Sequence, residues 1–203
     1  MGNITFNPMT ASNAGGLFQV SSNGYTQGDA QDDPAVKFQL QTGLVSSNQS
    51  TPIVVGMPIQ TLVPTVNSVS GTNTGSLVLA ATSLATSTGI AVSNKGYASI
   101  AVPGQNTAPN YSSGMSINYY YFGSRARIAL PISAAFASAL AGGQTNQNAT
   151  WDYTNNYLTT YDSTNKFPIL EFGPVSLTGN KVITLVGGIP TWTNTGPLVM
   201  CLI

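Results

Sequence analysis

Histidine does not occur in this chain. Its absence removes the usual general base, the Ser-His-Asp and Cys-His constellations, and the commonest zinc ligand. Charge is scarce as well. Six basic and six acidic residues cancel and together make up 6% of the sequence, against about 25% in an ordinary soluble domain. No basic field is available to attract phosphates, which argues against salt-dependent nucleic-acid binding. Cysteine appears once, at Cys201, so neither an intrachain disulfide nor a cysteine-based metal site can form. No stretch approaches the roughly 20 apolar residues of a membrane helix. The opening Met1-Gly2-Asn3-Ile4-Thr5-Phe6 shows no basic or apolar run of a signal peptide, and position 6 lacks the Ser or Thr of a myristoylation pattern.

What is present points to a folded β protein. The 203 residues are 42% hydrophobic, enough for a sizeable core. Polarity comes from Ser, Thr, Asn and Gln, so the charge that usually keeps disordered chains open is missing. Zero net charge gives weak protection against association, which suits a surface committed to neighbours. The N-x-S/T sequences at Asn3, Asn48, Asn110 and Asn148 are what chance supplies in such a composition.

Residues 1–35 have no steady hydrophobic period. They hold the breakers Asn13-Ala14-Gly15-Gly16, Ser21-Ser22-Asn23-Gly24 and Asp32-Asp33-Pro34, with one apolar spot at Leu17-Phe18-Gln19-Val20. The expectation is an extended N-terminal arm over 1–35 and a folded body over 36–203. Within the body, turn-bounded β runs are expected at 36–40, 53–55, 59–63, 77–79, 89–92 and 97–102. Residues 67–75 and 103–113 read as loops. Residues 115–122 and 125–130 read as a hairpin around Gly123-Ser124, and 148–153 with 157–161 as a second around Thr154-Asn155-Asn156. Further strands are expected at 169–172, 181–186 and 198–203. Pro131 and Gly142-Gly143 bracket an Ala-rich run that predicts one short helix over 132–141. Many short strands without strand–helix alternation mean an all-β sandwich, jelly roll or barrel.

Catalytic chemistry finds little footing. No P-loop, dinucleotide-binding glycine fingerprint or nucleophile elbow is present. Asp32 and Asp33 are neighbours and point opposite ways in an extended arm. Asp152, Asp162 and Glu171 could converge as a glycosidase pair, but read as turn and strand-end residues. The 28–33 stretch lacks EF-hand spacing, so its aspartates read as turn caps and no metal or other cofactor is expected. Tyr119 and Tyr121 face one side of a strand, Tyr120 and Phe122 the other. One side reads as core, the second as interface or helix-covered, with ligand stacking the sharper alternative. Arg125 and Arg127 share a strand face. They could pair with Asp152 or Asp162, or anchor a protein interface, where Arg is enriched. The chain is therefore not expected to be an enzyme.

Four collinear pieces carry a likeness to a known family: Gln27-Gly28-Asp29-Ala30-Gln31-Asp32-Asp33-Pro34; the 87–104 stretch with Ser87-Thr88-Gly89-Ile90-Ala91-Val92; Gly114 through Tyr119-Tyr120-Tyr121-Phe122-Gly123-Ser124-Arg125-Ala126-Arg127-Ile128; and Gly142-Gly143 with Gln147 to Thr150-Trp151-Asp152-Tyr153. Together they resemble head decoration, or structural cement, proteins of tailed bacteriophages, over roughly residues 25–160. The resemblance implies a β-sandwich or jelly-roll-like body on the outer surface of the virion, made in the host cytoplasm. It implies two partners, the major capsid protein of the shell and further copies of the chain, with a dimer favoured over a trimer. On this likeness Gln27, Gly28, Asp32, Asp33, Pro34, Arg125 and Arg127 are the candidate interface residues. The second reading is a receptor- or glycan-binding domain of a tail fibre or adhesin. A third is a shell or pilus-like subunit that assembles alone.

Overall fold

Short β-branched and apolar runs bounded by turn residues supply the strands, and every strand described is hydrogen-bonded to at least one other. The computed structural model describes residues 24–30, 34–62, 76–93, 108, 110–144, 147–186, 189–193 and 195–203. Its strands are β1 (Gln41–Val45), β2 (Ile53–Val54), β3 (Pro58–Leu62), β4 (Leu77–Ala80), β5 (Gly89–Val92), β6 (Asn110–Tyr111), β7 (Ser116–Tyr121), β8 (Arg127–Pro131), β9 (Ala149–Asp152), β10 (Tyr157–Thr160), β11 (Glu171–Ser176), β12 (Val182–Val186), β13 (Ile189–Thr193) and β14 (Leu198–Leu202). Helix α1 (Pro34–Lys37) is a single turn, and α2 (Ala134–Ala141) is the longer helix. The protein is all-β.

Five strands close into a small barrel in the order β1-β4-β3-β5-β7, and β7 pairs back onto β1. The β1–β4 pair is parallel and the others antiparallel. A ring this small has room only for side chains. Val45, Ile59, Val78, Ala91, Ile117 and Tyr119 fill it, together with Ile53. The period of two along a strand then sends the intervening residues outward. Ile90, Val92 and Tyr120 leave the barrel wall and enter a second, larger cluster. Both faces of β5 are thus covered, and all four of its residues are buried.

The larger cluster is closed from the other side by a three-stranded sheet in the order β11-β14-β8, with the β9–β10 hairpin and α2. β14 is the central strand, flanked by partners on both edges, and its first four residues are buried. That matches an apolar run covered on both faces. Cys201 lies in it, free and with none of its surface exposed. Burial pushes its thiol far above the ordinary value. A small thiol reagent is therefore expected to leave the native protein unmodified over hours and to label it at once in denaturant. Rapid native labelling would mean that β14 opens.

Helix α2 begins at the Ser133 cap, whose Oγ accepts the Phe136 N–H at 3.1 Å. Pro131 ends strand β8 and does not open the helix. The close at Gly142-Gly143 is as expected: their N–H groups donate to Ala139 and Leu140 carbonyls. The hairpin β9–β10 also follows the local signal, with Asn156 left-handed at φ 59° in its turn.

Four expectations are corrected. The hairpin around Gly123-Ser124 does not form: β7 belongs to the barrel and β8 pairs with β14. Arg125 takes φ 61° between them and donates its N–H to the Ile203 carbonyl at 2.6 Å. The chain thus leaves one sheet for another. The run at 36–40 is not a strand; residues 34–37 make the turn of α1, with Pro34 first, where its missing N–H costs nothing. Strand β11 does not stop at Phe172 but passes a bulge at Gly173-Pro174 and continues to Ser176. The boundary at residue 35 cuts through the body, because residues 24–30 are woven into it. Thr26 bridges Lys181 and Ala30 bridges Ile128. The rest of the expected arm at 1–23 and 31–33, the strand at 97–102 and the loop at 67–75 lie outside the described residues.

Candidate protein interface

The predicted interface residues fall into three groups. Gln27 and Gly28 are buried inside the body and cannot meet a partner, which corrects their assignment. Gln27 donates from Nε2 to the Val55 carbonyl at 2.9 Å and accepts the Ile183 N–H at 3.0 Å. Its own N–H donates to the Lys181 carbonyl at 2.9 Å. Gly28 has φ 71°, and a Cβ placed there would stand 2.5 Å from Val55 Cβ. Both residues therefore tie the chain start to distant strands. A second buried amide does the same work: Asn180 accepts the Tyr25 N–H and donates to the Ser176 and Gly196 carbonyls.

Asp32 and Asp33 lie outside the described residues, and Pro34 is the first residue of α1. Arg125 and Arg127 are exposed, the first in the crossover and the second opening β8 beside Leu202. Their expected partners are occupied elsewhere. Asp152 Oδ1 accepts the N–H groups of Thr154 and Asn155, and its Oδ2 accepts Asn155 Nδ2. Asp162 repeats the arrangement ten residues on with Thr164 and Asn165. These are closed Asp-x-Thr-Asn turns, so neither carboxylate is poised for acid–base work.

The same turns predict acid sensitivity. Backbone and side-chain donation from Asn165, then the Thr164 N–H, hold the Asp162 carboxyl at about 2, below its ordinary 3.8. The Asn155 amide, then its backbone N–H, lowers Asp152 in the same direction. A depressed carboxyl contributes stability above its unfolded value and loses it as pH falls through the folded one. The melting temperature is expected to fall between pH 3.8 and about 2, and the D152N/D162N double variant to fall less. Parallel curves for the two proteins would count against these turns.

The aromatic run sends Tyr119 and Tyr120 inside on opposite sides and leaves Tyr121 exposed. Tyr119 enters the barrel and Tyr120 the larger cluster, against which Phe122 also packs. At one end of the barrel Tyr119 and Tyr121 meet edge to face with centroids 5.3 Å apart. Burial pushes the Tyr119 hydroxyl up to about 12, and its hydrogen bond lowers Tyr121. Thr61 and Thr88 share a hydroxyl contact at 3.2 Å, and Thr61 and Ser76 lie close enough to Tyr121 to help lower it.

Sequence reasoning missed the free edge of β11. Two adjoining depressions run along it and share Gln144. One, of about 670 Å³, is lined by Lys166, Leu170 and Glu171. The other, of about 600 Å³, is lined by Val175 and Leu177 against α2. Leu170 and Leu177 are 59% and 66% exposed. One signal was available: a proline inside a strand marks a sheet edge, and Pro174 stands there.

Among the described residues no group of three or more His, Cys, Asp or Glu could hold a metal ion, and no helix is long and apolar enough to cross a membrane. Comparisons with protein-family models, curated proteins and solved structures return no match.

Proposed function

We propose that this chain is a structural binding protein that decorates the outside of a tailed-phage capsid. It binds the major capsid protein and further copies of itself, with no catalysis and no cofactor. The observation that carries this reading is the pairing of a nearly uncharged sequence with large apolar side chains left open. Phe38, Leu170, Leu177 and Ile189 are each more than half exposed, while charged residues are 6% of the chain. Exposed apolar groups on such a surface suit broad, complementary contact with other protein. The resemblance to decoration proteins supplies the shell as partner. In this reading the three-stranded sheet, lying across the larger cluster from the barrel wall, is the sandwich-like part of the body.

The test is to mix the full chain with undecorated shells. Saturable co-sedimentation and a raised shell disruption temperature are expected. No binding at micromolar concentration overturns the reading. One observation favours the glycan-binding alternative: Tyr121, 39% exposed, presents a ring and hydroxyl beside Thr61 and Ser76, groups that suit a sugar. Specific retention on a glycan array without shell binding selects that alternative.

A further inference from the structure

We infer that the free edge of β11 is the face on which two copies of this chain meet across a two-fold axis. This deepens the self-association part of the reading above and rests on it. Among the described residues β11 is the outer strand of its sheet, with β14 on one side only. Its two ends carry the exposed Leu170 and Leu177, about 20 Å apart at strand rise.

Charge selects the occupant. Lys166 and Glu171 line the same depression as Leu170, and both are exposed. Neither has an ion-pair partner within 4.0 Å among the described residues. In a chain with only six residues of each sign, one of each stands beside an open leucine. A patch with both signs side by side is self-complementary under a two-fold: Lys166 of one copy faces Glu171 of the other, and the reverse pair forms by symmetry. A patch of one sign would repel its own copy.

The bulge limits how the edge is used. Pro174 has no N–H to offer a further strand, and the register shifts between Phe172 and Val175. Continuous strand addition is blocked there. Contact is therefore made by side chains and closes at two copies, with no open-ended sheet.

The experiment is sedimentation equilibrium of the free full chain, without shells, from micromolar to hundreds of micromolar. Wild type is expected to be a dimer. K166E and E171K, each of which places like charges opposite one another twice, are expected to weaken it by at least about tenfold. The double variant K166E/E171K restores both pairs with reversed signs, so it is expected to return to within about threefold of wild type. Both substitutions are on exposed side chains, and matching thermal melts of the three variants confirm that the body is intact. A wild-type monomer, a trimer, single variants as tight as wild type, or a double variant left weak each overturn the inference. Because no shell is present, a chain that binds shells yet stays monomeric overturns the two-fold contact and leaves shell binding standing.

Discussion

Gln27→Ala is expected to lower the stability of the body by about 3 kcal/mol, and deletion of residues 1–34 to abolish cooperative unfolding. The Gln27 side chain is 2% exposed. Its amide is the partner of the Val55 carbonyl and the Ile183 N–H. Truncation leaves both without it and opens a cavity the size of the lost side chain. Gln27→Met keeps the volume and removes only the hydrogen bonds, so a similar loss in both variants assigns the effect to the amide. The deletion goes further. It strips the Tyr25 carbonyl from the Lys181 N–H, the Gly28 N–H from the Ala129 carbonyl and the Asp29 carbonyl from the Ala129 N–H. It also removes the Tyr25 N–H that Asn180 accepts, and Asn180 has no exposed surface. Denaturant titration measures both: a lower midpoint with unchanged slope for the point variants, and no transition for the truncation. A truncated chain that melts like wild type would restore residues 24–30 to the arm.

That segment was not legible in the sequence for a physical reason. Its order comes from polar contacts between residues 155 and 156 positions apart. A buried amide leaves no periodic trace, and the local breakers dominate the pattern. Elements decided locally were legible. The β9–β10 turn is built from side chains within four residues of Asp152. The end of α2 is set by Gly142-Gly143, and β14 by an apolar run that only double coverage explains. Strand partners were not legible. Gly123-Ser124 is a real turn, since Ser124 donates its N–H to the Tyr121 carbonyl. Yet a turn does not decide whether the following strand pairs with the preceding one. Here the left-handed Arg125 sends it to β14. Of the candidate interface, Arg125 and Arg127 were visible as rare charges and are exposed. The Lys166–Glu171 edge was hidden, because Gly173-Pro174 reads as a strand end until the bulge carries the strand past it.

The barrel makes the second strong prediction. Gly89→Ala is expected to cost about 3 kcal/mol, three times as much as the same substitution at a more conformationally demanding glycine. A Cβ at Gly89 would lie 2.2 Å from the Tyr120 carbonyl oxygen and 3.1 Å from Tyr121 Cα. These are backbone atoms of β7, so no side chain can swing aside. Strand β7 cannot retreat either. It is held on its other edge by β1 through pairs from Gln41–Tyr119 to Leu44–Ser116, and Tyr120, 5% exposed, already packs in the larger cluster. β5 is caught the same way, since Gly89 also faces Ile59 on β3. An added methyl must therefore open the ring at β5–β7 or break a neighbouring ladder. Gly114 is the control. It has φ 81° with nothing within 4 Å of an added Cβ, so Gly114→Ala carries only the left-handed penalty of about 1 kcal/mol. Both variants are compared by denaturant midpoint, with amide exchange of β5 and β7 as the local readout. Gly89→Ala should speed exchange in both strands, while Gly114→Ala leaves them protected. If Gly114→Ala proves the more damaging, backbone conformation outweighs close approach in this protein, and β5 and β7 do not lie as near as a closed five-stranded ring requires.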